Sequence, residues 1–244
     1  MIYFMCKYYT RRDSCSYESL FYLKEENLMP SLKGRAKAKT ESQETKGTKT
    51  VEVRMRKVEF EKNPSLKAFF TATVTGYPVV TRVTFTEKEK EESDDTEEIN
   101  PDDFNILFQS KVGKDGKRYP LLHPIDAETR NDIKLNVLSA FKRFFEDEKD
   151  VFVDENNIAV SQVAEKNYFK GQVGDALVQT TRTMALKDME LHQSKDGNYY
   201  LAYPGRNYKD SNGEWQKMPY YWPQKDSDTT QAILEAAVKE YEKA

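Results

Sequence analysis

Residues 123–141 read HPIDAETRNDIKLNVLSAF, and residues 222–241 read WPQKDSDTTQAILEAAVKEY. Each stretch begins with a ring-bearing residue followed by proline, and each continues into a segment whose apolar residues recur at helical spacing. The apolar positions of the two predicted helices are Ile133, Val137 and Phe141, and Ile233, Ala237 and Tyr241. Because the order of these features is the same in both stretches, they indicate an internal duplication.

The residues before each predicted helix also repeat in order. A predicted strand at 105–109 is followed by an Asp115-Gly116 turn, and a predicted strand at 198–202 is followed by an Asn212-Gly213 turn. Asp-Gly and Asn-Gly are pairs that tight β-turns favour, since these residues accept positive φ. Two copies of one unit in one chain predict an intrachain pseudo-dimer, and the functional question becomes what its paired surface binds.

Period-two alternation of apolar and polar residues predicts strands ahead of both helices. The predicted strands are 51–58, 68–74, 79–85 and 105–109 in the first unit, and 158–163, 168–176, 178–186 and 198–202 in the second. Asp126 is placed to cap the first helix, and Asp226, Ser227 or Asp228 to cap the second. The fold class that fits is α+β, with each unit an antiparallel β-meander followed by a C-terminal helix.

Composition divides the chain into three parts. They are an N-terminal extension with a flexible basic arm at 1–49, a first unit at 50–148 and a second unit at 149–244. The first unit contains an acidic insertion at 86–103, which we expect to be a solvated loop. Residues 1–28 contain both cysteines and many tyrosines, and the composition changes abruptly after them, so Met29 is a candidate natural start.

Whole-chain composition is that of a globular protein with a charged surface. Of the 244 residues 32% are charged and 12% are aromatic, and the formal net charge is −3. Cys6 and Cys15 lie outside both units, so we expect neither a disulfide framework nor a thiolate metal site. No stretch has the length and apolar character of a signal-peptide core or a membrane span, and we expect a cytoplasmic protein without a membrane partner.

Histidines and catalytic motifs are scarce. The chain contains His123 and His192 but no Gly-rich phosphate loop, metalloprotease helix or nucleophile elbow. We therefore expect a non-enzymatic protein with no cofactor and no metal site. His123 precedes a proline at the approach to the first helix, and we expect it to hydrogen-bond a loop carbonyl.

The first unit resembles the SpoVG family, the stage V sporulation or septation proteins of bacteria. The residues that carry the resemblance are Phe108, Ser110-Lys111, Asp115-Gly116, Arg118-Tyr119, His123-Pro124-Ile125 and Thr129-Arg130. The opening strand 51–58 is similar to the start of the family as well. The resemblance is close across 51–145, and it is weaker but in the same order across 158–242.

The resemblance implies both an architecture and a function. Family members are dimers that extend their sheets across the interface and bind DNA or RNA as regulators, so this chain would supply both halves of such a dimer. The second unit departs from the pattern, with 202–206 in place of the Ser-Lys loop, Trp222 in place of His123 and Thr230 in place of Arg130. An asymmetric pseudo-dimer follows, in which the first unit keeps the basic contacts.

Basic residues of the chain are candidates for contacts with a nucleic-acid backbone. The Asp-Gly turn lets a backbone approach closely, the start of a helix attracts phosphate, and a basic arm adds sequence-independent contacts. The predicted nucleic-acid-binding residues are Lys111, Lys114, Lys117, Arg118, Arg130, Lys134, Arg143, Arg206 and Lys209. The prediction requires those of the first unit to share a face. The sequence does not distinguish DNA from RNA.

A protein-interaction module is the alternative function. The aromatic residues of the second unit, interleaved with cations, suit stacking on unpaired bases, but they equally suit sheet closure or a protein interface. In the second interpretation the aromatic and acidic surfaces make the chain an adaptor or inhibitor, for example from a mobile element or phage. Open sheet edges leave further oligomerisation possible in either case.

Overall fold

The computed structural model of the chain describes residues 48–88, 101–146, 148, 150–223 and 228–243. The first half contains β1 (Thr50–Lys57), β2 (Leu66–Thr75), β3 (Val79–Glu87), a 3-10 helix (Pro101–Asp103), β4 (Phe104–Leu107), β5 (Ser110–Val112), β6 (Arg118–Pro120), β7 (Leu122–Pro124) and α1 (Ala127–Phe145). The second half contains β8 (Val153–Glu155), β9 (Ile158–Glu165), β10 (Gln172–Thr180), β11 (Met184–Gln193), β12 (Tyr199–Ala202), β13 (Gly205–Lys209), β14 (Trp215–Pro219), β15 (Tyr221–Pro223) and α2 (Asp228–Lys243). The described residues thus have a mixed α+β fold, mostly antiparallel sheet with two helices, as the sequence predicts.

Strands of the first sheet show the alternation expected when one face packs on a core. β2 buries every second residue from Leu66 to Val74 and leaves the intervening residues partly accessible. β1 has the same period, with Val51, Val53 and Met55 half-buried between exposed polar residues. The period-two pattern of the sequence therefore locates both strands to within two residues.

The first helix begins where the sequence predicts, because Asp126 caps it. The Asp126 carboxylate accepts hydrogen bonds from the Thr129 amide at 2.6 Å and from the Thr129 hydroxyl at 2.9 Å. The bond from the amide is the main reason that the pKa of Asp126 lies below its ordinary value. In the second helix Asp228 is the first residue, and the other two predicted caps, Asp226 and Ser227, lie outside the described residues.

Each of the two main sheets combines strands from both halves of the chain. The first sheet has the order β1-β2-β11-β12, and β7 also pairs with β11. The second has the order β15-β3-β10-β9-β8, and β4 also pairs with β3. Two small antiparallel hairpins, β5–β6 and β13–β14, lie outside these sheets.

β2 and β3 do not pair with each other, so the predicted meander is wrong at this step. β2 pairs with β11 and β3 pairs with β10, and each pair is antiparallel. Between them Gly76 adopts a φ of 75°, which glycine accepts without strain. The Gly76 amide donates to the Thr181 carbonyl at 2.8 Å, and the Thr75 and Thr183 hydroxyls are 3.1 Å apart. The turn is thus bonded to the second half and does not close a hairpin.

Two strands of the second half lie further along the chain than predicted. The expected strands at 168–176 and 178–186 are observed as β10 and β11, with a turn at 181–183 between them. β11 contains a β-bulge between Leu186 and Met189, within which Asp188 has a φ of 58°. Because a bulge interrupts alternation, this charged stretch has the pattern of a loop in the sequence. The sequence patterns also do not predict the short strands β5, β6, β7, β8, β13, β14 and β15.

Each helix packs mainly on one sheet. α1 contacts β8, β9 and β10, whereas α2 contacts β1, β2, β11 and β12. Three buried residues of α1 have a buried counterpart in α2 that lies 100 residues later in the chain. The pairs are Thr129 and Thr229, Ile133 and Ile233, and Val137 and Ala237.

One continuous core joins the sheets and helices. Within it Phe85 stacks on Phe141 with ring centroids 4.8 Å apart.

Parts of the chain for which the sequence makes predictions lie outside the described residues. These are 1–47, with most of the predicted basic arm and the candidate start, and 89–100, with most of the predicted acidic insertion. At the ends of the insertion, Thr86 and Glu87 belong to β3 and Pro101–Asp103 forms the 3-10 helix.

Most of the described chain forms one compact unit. This unit comprises the described residues within Thr45–Tyr208 and Trp215–Ala244, and the short turn Lys209–Glu214 does not belong to it. Within the turn, the Asp210 carboxylate accepts hydrogen bonds from the Asn212 and Glu214 amides, each at 2.9 Å. Neither described helix is long and apolar enough to cross a membrane.

Candidate nucleic-acid interface

The β5–β6 hairpin is held in shape by its own turn. Gly116 adopts a φ of 75°, in the left-handed region that favours glycine. The Asp115 carboxylate accepts hydrogen bonds from the Tyr119 hydroxyl at 2.6 Å and from the Lys117 amide at 3.1 Å. These bonds hold the pKa of Asp115 below its ordinary value, so the carboxylate stays charged. Arg118 follows this turn directly and begins β6.

The first turns of α1 are fixed by a residue from the second half. Arg182, in the turn between β10 and β11, donates to the Asp132 carboxylate at 2.7 Å. Its guanidinium also donates to the Thr129 hydroxyl at 3.4 Å and lies 3.6 Å from the Glu128 carboxylate. Arg130 lies on the same turns of the helix, so Arg182 helps to position it.

A groove of about 410 Å³ lies among β4, the β5–β6 hairpin, β7 and the start of α1. Cavities of ~300–1,000 Å³ are typical of ligand sites. We call it the basic groove, and its lining residues are Ile106, Leu107, Phe108, Ser110, Arg118, Pro120, His123, Arg130 and Phe169. Phe169 belongs to the turn between β9 and β10, so both halves of the chain build the groove.

Arg118 and Arg130 are the two predicted site residues that the structure brings together in the groove. Both side chains are exposed, and neither guanidinium forms an ion pair or hydrogen bond with a described residue. An unpaired guanidinium keeps its five N–H donors for a ligand, and its planar shape matches phosphate. The groove is therefore suited to an anion.

His123 lines the same groove with an unsatisfied atom. Its Nδ1 is buried and has no hydrogen-bond partner among the described residues, so the expected bond to a loop carbonyl is not found there. Burial lowers the pKa of the His123 imidazole, and the positive charges of Lys187 and Arg130 lower it further. The ring is therefore neutral at neutral pH. A buried polar atom without a partner is rare in folded proteins.

The bulge in β11 brings Lys187 close enough to His123 for its charge to act on the imidazole. The Lys187 amide donates to the Leu121 carbonyl at 2.8 Å, and its carbonyl accepts from the Tyr221 hydroxyl. Burial raises the pKa of Tyr221, so the phenol keeps the proton that it donates. Lys187 cannot be identified from the sequence alone, because it falls in a charged stretch with the pattern of a loop.

Two phenylalanines add an aromatic component to which the sequence analysis assigns no binding role. Phe108 packs partly against the core, whereas Phe169 is exposed. The turn that carries Phe169 is tied to β3, because the Glu87 amide donates to the Gly171 carbonyl at 2.8 Å. A glycine within a predicted strand is the available signal for this turn.

Three other predicted site residues are engaged in ion pairs. Lys111 pairs with Asp188, Lys134 pairs with Asp102 at 3.2 Å, and Arg143 pairs with Glu148 at 2.6 Å. Arg143 also donates to the Phe152 carbonyl at 2.8 Å. On α1 Arg143 lies about 20 Å from Arg130 along the helix axis, because the helix rises ~1.5 Å per residue. The structure therefore does not bring Arg143 to the groove.

The remaining predicted cations lie on the two hairpins. Lys114 and Lys117 are exposed in the turn of the β5–β6 hairpin, close to Arg118 in the chain. Arg206 and Lys209 belong to β13 and take part in interactions within the protein. Lys114 and Lys117 are thus the two that can extend the positive charge of the Arg118 hairpin.

His192 belongs to a different polar cluster, with the residue types of a catalytic triad. Its Nδ1 lies 3.2 Å from the Ser65 hydroxyl, and its Nε2 lies 3.0 Å from the Glu190 carboxylate. Because the Glu190 carboxylate accepts from Nε2–H, an imidazole that carries one proton has its lone pair at Nδ1, and Asn63 Oδ1 at 2.8 Å competes with Nδ1 for the Ser65 proton. The described residues also contain no group of three or more His, Cys, Asp or Glu placed to hold a metal ion.

The basic groove combines two arginines that have no ion-pair partner among the described residues, a neutral imidazole and aromatic rings. No protein-family model, curated protein or solved structure matches this chain. Function is therefore inferred from the chemistry of the groove itself. Guanidinium groups contact phosphate and aromatic rings stack on bases, so this combination is typical of surfaces that bind nucleic acid.

Proposed function

We propose that the chain is a non-enzymatic nucleic-acid-binding protein of SpoVG-like type, which contacts DNA or RNA in the basic groove. The observation that carries this proposal is that Arg118 and Arg130 line one cavity without an acidic partner among the described residues. Their guanidinium groups contact backbone phosphates, and Lys114 and Lys117 add charge from the adjacent turn. Such contacts position a nucleic acid without reading its sequence.

Lys111, Lys134 and Arg143 contribute less than the sequence analysis expects. Each already has an acidic partner, so a contact with phosphate first requires that ion pair to open. The exchange of one ionic partner for another gains little free energy at an exposed site. Arg118 and Arg130 therefore supply most of the salt-sensitive affinity.

We further propose that the chain is an intrachain pseudo-dimer of two such units. This is supported by the strand pairings, because each pairing made by strands of the first unit has a counterpart in which the equivalent strands of the other unit pair. The pairings that correspond are β1–β2 and β9–β10, β2–β11 and β10–β3, β3–β4 and β11–β12, β7–β11 and β15–β3, and β5–β6 and β13–β14. The buried helix positions 100 residues apart agree with it. Because Trp222 and Thr230 replace His123 and Arg130, the corresponding place in the second unit lacks both the imidazole and the arginine.

Fluorescence anisotropy of the full chain with labelled oligonucleotides tests the proposed function. Single strands of DNA and RNA of about 12 nucleotides and the matching duplex are suitable probes, because single-strand sites span ~4–16 nucleotides. Arg118→Gln and Arg130→Gln should each weaken binding about tenfold, as expected for the loss of a charged hydrogen bond worth ~1.5 kcal/mol.

Arg143→Gln is the matched control, because it removes an arginine from the same helix but outside the groove. It should leave the Kd unchanged. Binding that is insensitive to Arg118 and Arg130, or that is absent at low salt, would contradict the proposal. A protein partner would then become the leading hypothesis.

A further inference from the structure

We infer that the basic groove selects single-stranded nucleic acid, with one unpaired base stacked on Phe169 and its phosphates on Arg118 and Arg130. This inference rests on the proposed function and adds the class of partner. A groove that only neutralised phosphate would need no exposed aromatic ring. Base stacking on an aromatic side chain is the common way in which proteins hold unpaired bases.

Phe169 is both accessible and fixed, as a stacking platform must be. Its side chain is 49% exposed although it lines the groove. The Gln172 amide donates to the Phe169 carbonyl at 3.1 Å, which closes the turn. Gly171 has a φ of 80°, and a Cβ there would lie 2.9 Å from the Glu87 carbonyl oxygen. The turn therefore packs tightly on β3 and presents the ring from a defined position.

A second exposed ring belongs to the same turn. Tyr168 is 71% exposed, and the Lys166 ammonium lies 5.3 Å from the centre of its ring. The same ammonium also pairs with the Asp175 carboxylate at 3.5 Å. Successive bases of a strand can use neighbouring rings. Tyr168 thus adds a second exposed ring next to Phe169 in the chain.

Duplex nucleic acid cannot use these rings. In a duplex each base face is covered by its neighbours, so an aromatic side chain reaches it only after the stack is opened, at a cost of a few kcal/mol. A duplex would therefore meet only the cations at the edge of the groove.

The test compares the full chain with Phe169→Leu, which keeps an apolar side chain of similar size but removes the ring. The probes are labelled oligo-dT and oligo-rU of about 12 nucleotides and a duplex of the same length. We expect the single strands to bind at least tenfold more tightly than the duplex. Phe169→Leu should weaken single-strand binding about tenfold and leave duplex binding unchanged.

Phe152→Leu is the matched control, since Phe152 is also an exposed phenylalanine and its carbonyl is bound by Arg143 at the far end of α1. It should bind like the wild type. Equal affinity of the protein for duplex and single strand, or equal single-strand affinities of Phe169→Leu and Phe152→Leu, would overturn the inference. The proposed function would stand in that case if binding still depended on Arg118 and Arg130. Loss of the arginine dependence would instead overturn the proposed function.

Discussion

The guanidinium of Arg182 donates a hydrogen bond to the Asp132 carboxylate at 2.7 Å. Arg182 belongs to the second half of the chain, and Asp132 belongs to α1 in the first half, two residues after Arg130. The helix that supplies one side of the basic groove is therefore positioned by the other half. The same dependence holds for the sheets, because β2 and β3 take their neighbours from β11 and β10.

Arg182→Met should lower the free energy of unfolding by about 1–3 kcal/mol, because Asp132 and Thr129 lose a charged donor at a half-buried site. Urea denaturation measures the change. Lys243→Met is the control, since Lys243 forms an exposed pair with Glu240 at 3.6 Å, and it should change stability by less than about 0.5 kcal/mol. Similar small effects of both variants would show that Arg182 does not hold the helix.

Ile133→Ala and Ile233→Ala should each cost about 2–5 kcal/mol, because both side chains are completely buried and each deletion leaves a cavity. The core is continuous, so each variant should still unfold in a single transition. Thermal unfolding followed by circular dichroism and tryptophan fluorescence measures this. Two separate transitions, each sensitive to one of the substitutions, would contradict a shared core.

Gly174→Ala should destabilise the protein by about 1–3 kcal/mol or more, as overpacking does. A Cβ at this position would lie 2.3 Å from the Ala164 carbonyl oxygen and 2.6 Å from Phe141 Cε1, so both β9 and α1 would have to move. Gly213→Asn is the control, because nothing lies within 4 Å of a Cβ there and Asn tolerates positive φ. A melting temperature that Gly174→Ala leaves unchanged would show that α1 does not pack closely on β10.

Binding at the groove should strengthen as the pH falls from about 8 to about 5.5, the range in which histidine titrates. In the free protein burial, Lys187 and Arg130 keep the pKa of His123 low. A bound phosphate is an opposite charge and raises that pKa, so the complex takes up a proton. Affinity therefore rises as the pH falls through the pKa of the complex. Anisotropy titrations of wild type and His123→Gln measure it, and identical pH profiles would exclude His123 from the groove's chemistry.

Local features of the fold follow from the sequence, whereas the choice of strand partners does not. Alternation locates β1 and β2, and the Asp126 cap locates the start of α1, because each depends on a few neighbouring residues. β2 and β3 each have one partner in the other half, β11 and β10, which lies more than 80 residues away. A local pattern does not distinguish a hairpin between β2 and β3 from this exchange between the halves.

The same limit applies to the groove. Arg118 and Arg130 are predictable from the charge beside a turn and at a helix start. Phe169 and Lys187 are not, because one is brought to the site by pairing between the halves and the other by a bulge. Arg143 is an arginine like Arg118 and Arg130, but it lies 13 residues after Arg130 on α1 and is therefore outside the groove.

The dependence of log Kd on log salt concentration for a labelled single strand tests the central claim most directly. The full chain is compared with the Arg118→Gln/Arg130→Gln double variant, and Arg143→Gln serves as control. Each phosphate contact on a single strand contributes about 0.7 to the slope, so the double variant should lose about 1.4 and the control nothing. Equal slopes for all three proteins would show that the basic groove does not bind the nucleic-acid backbone.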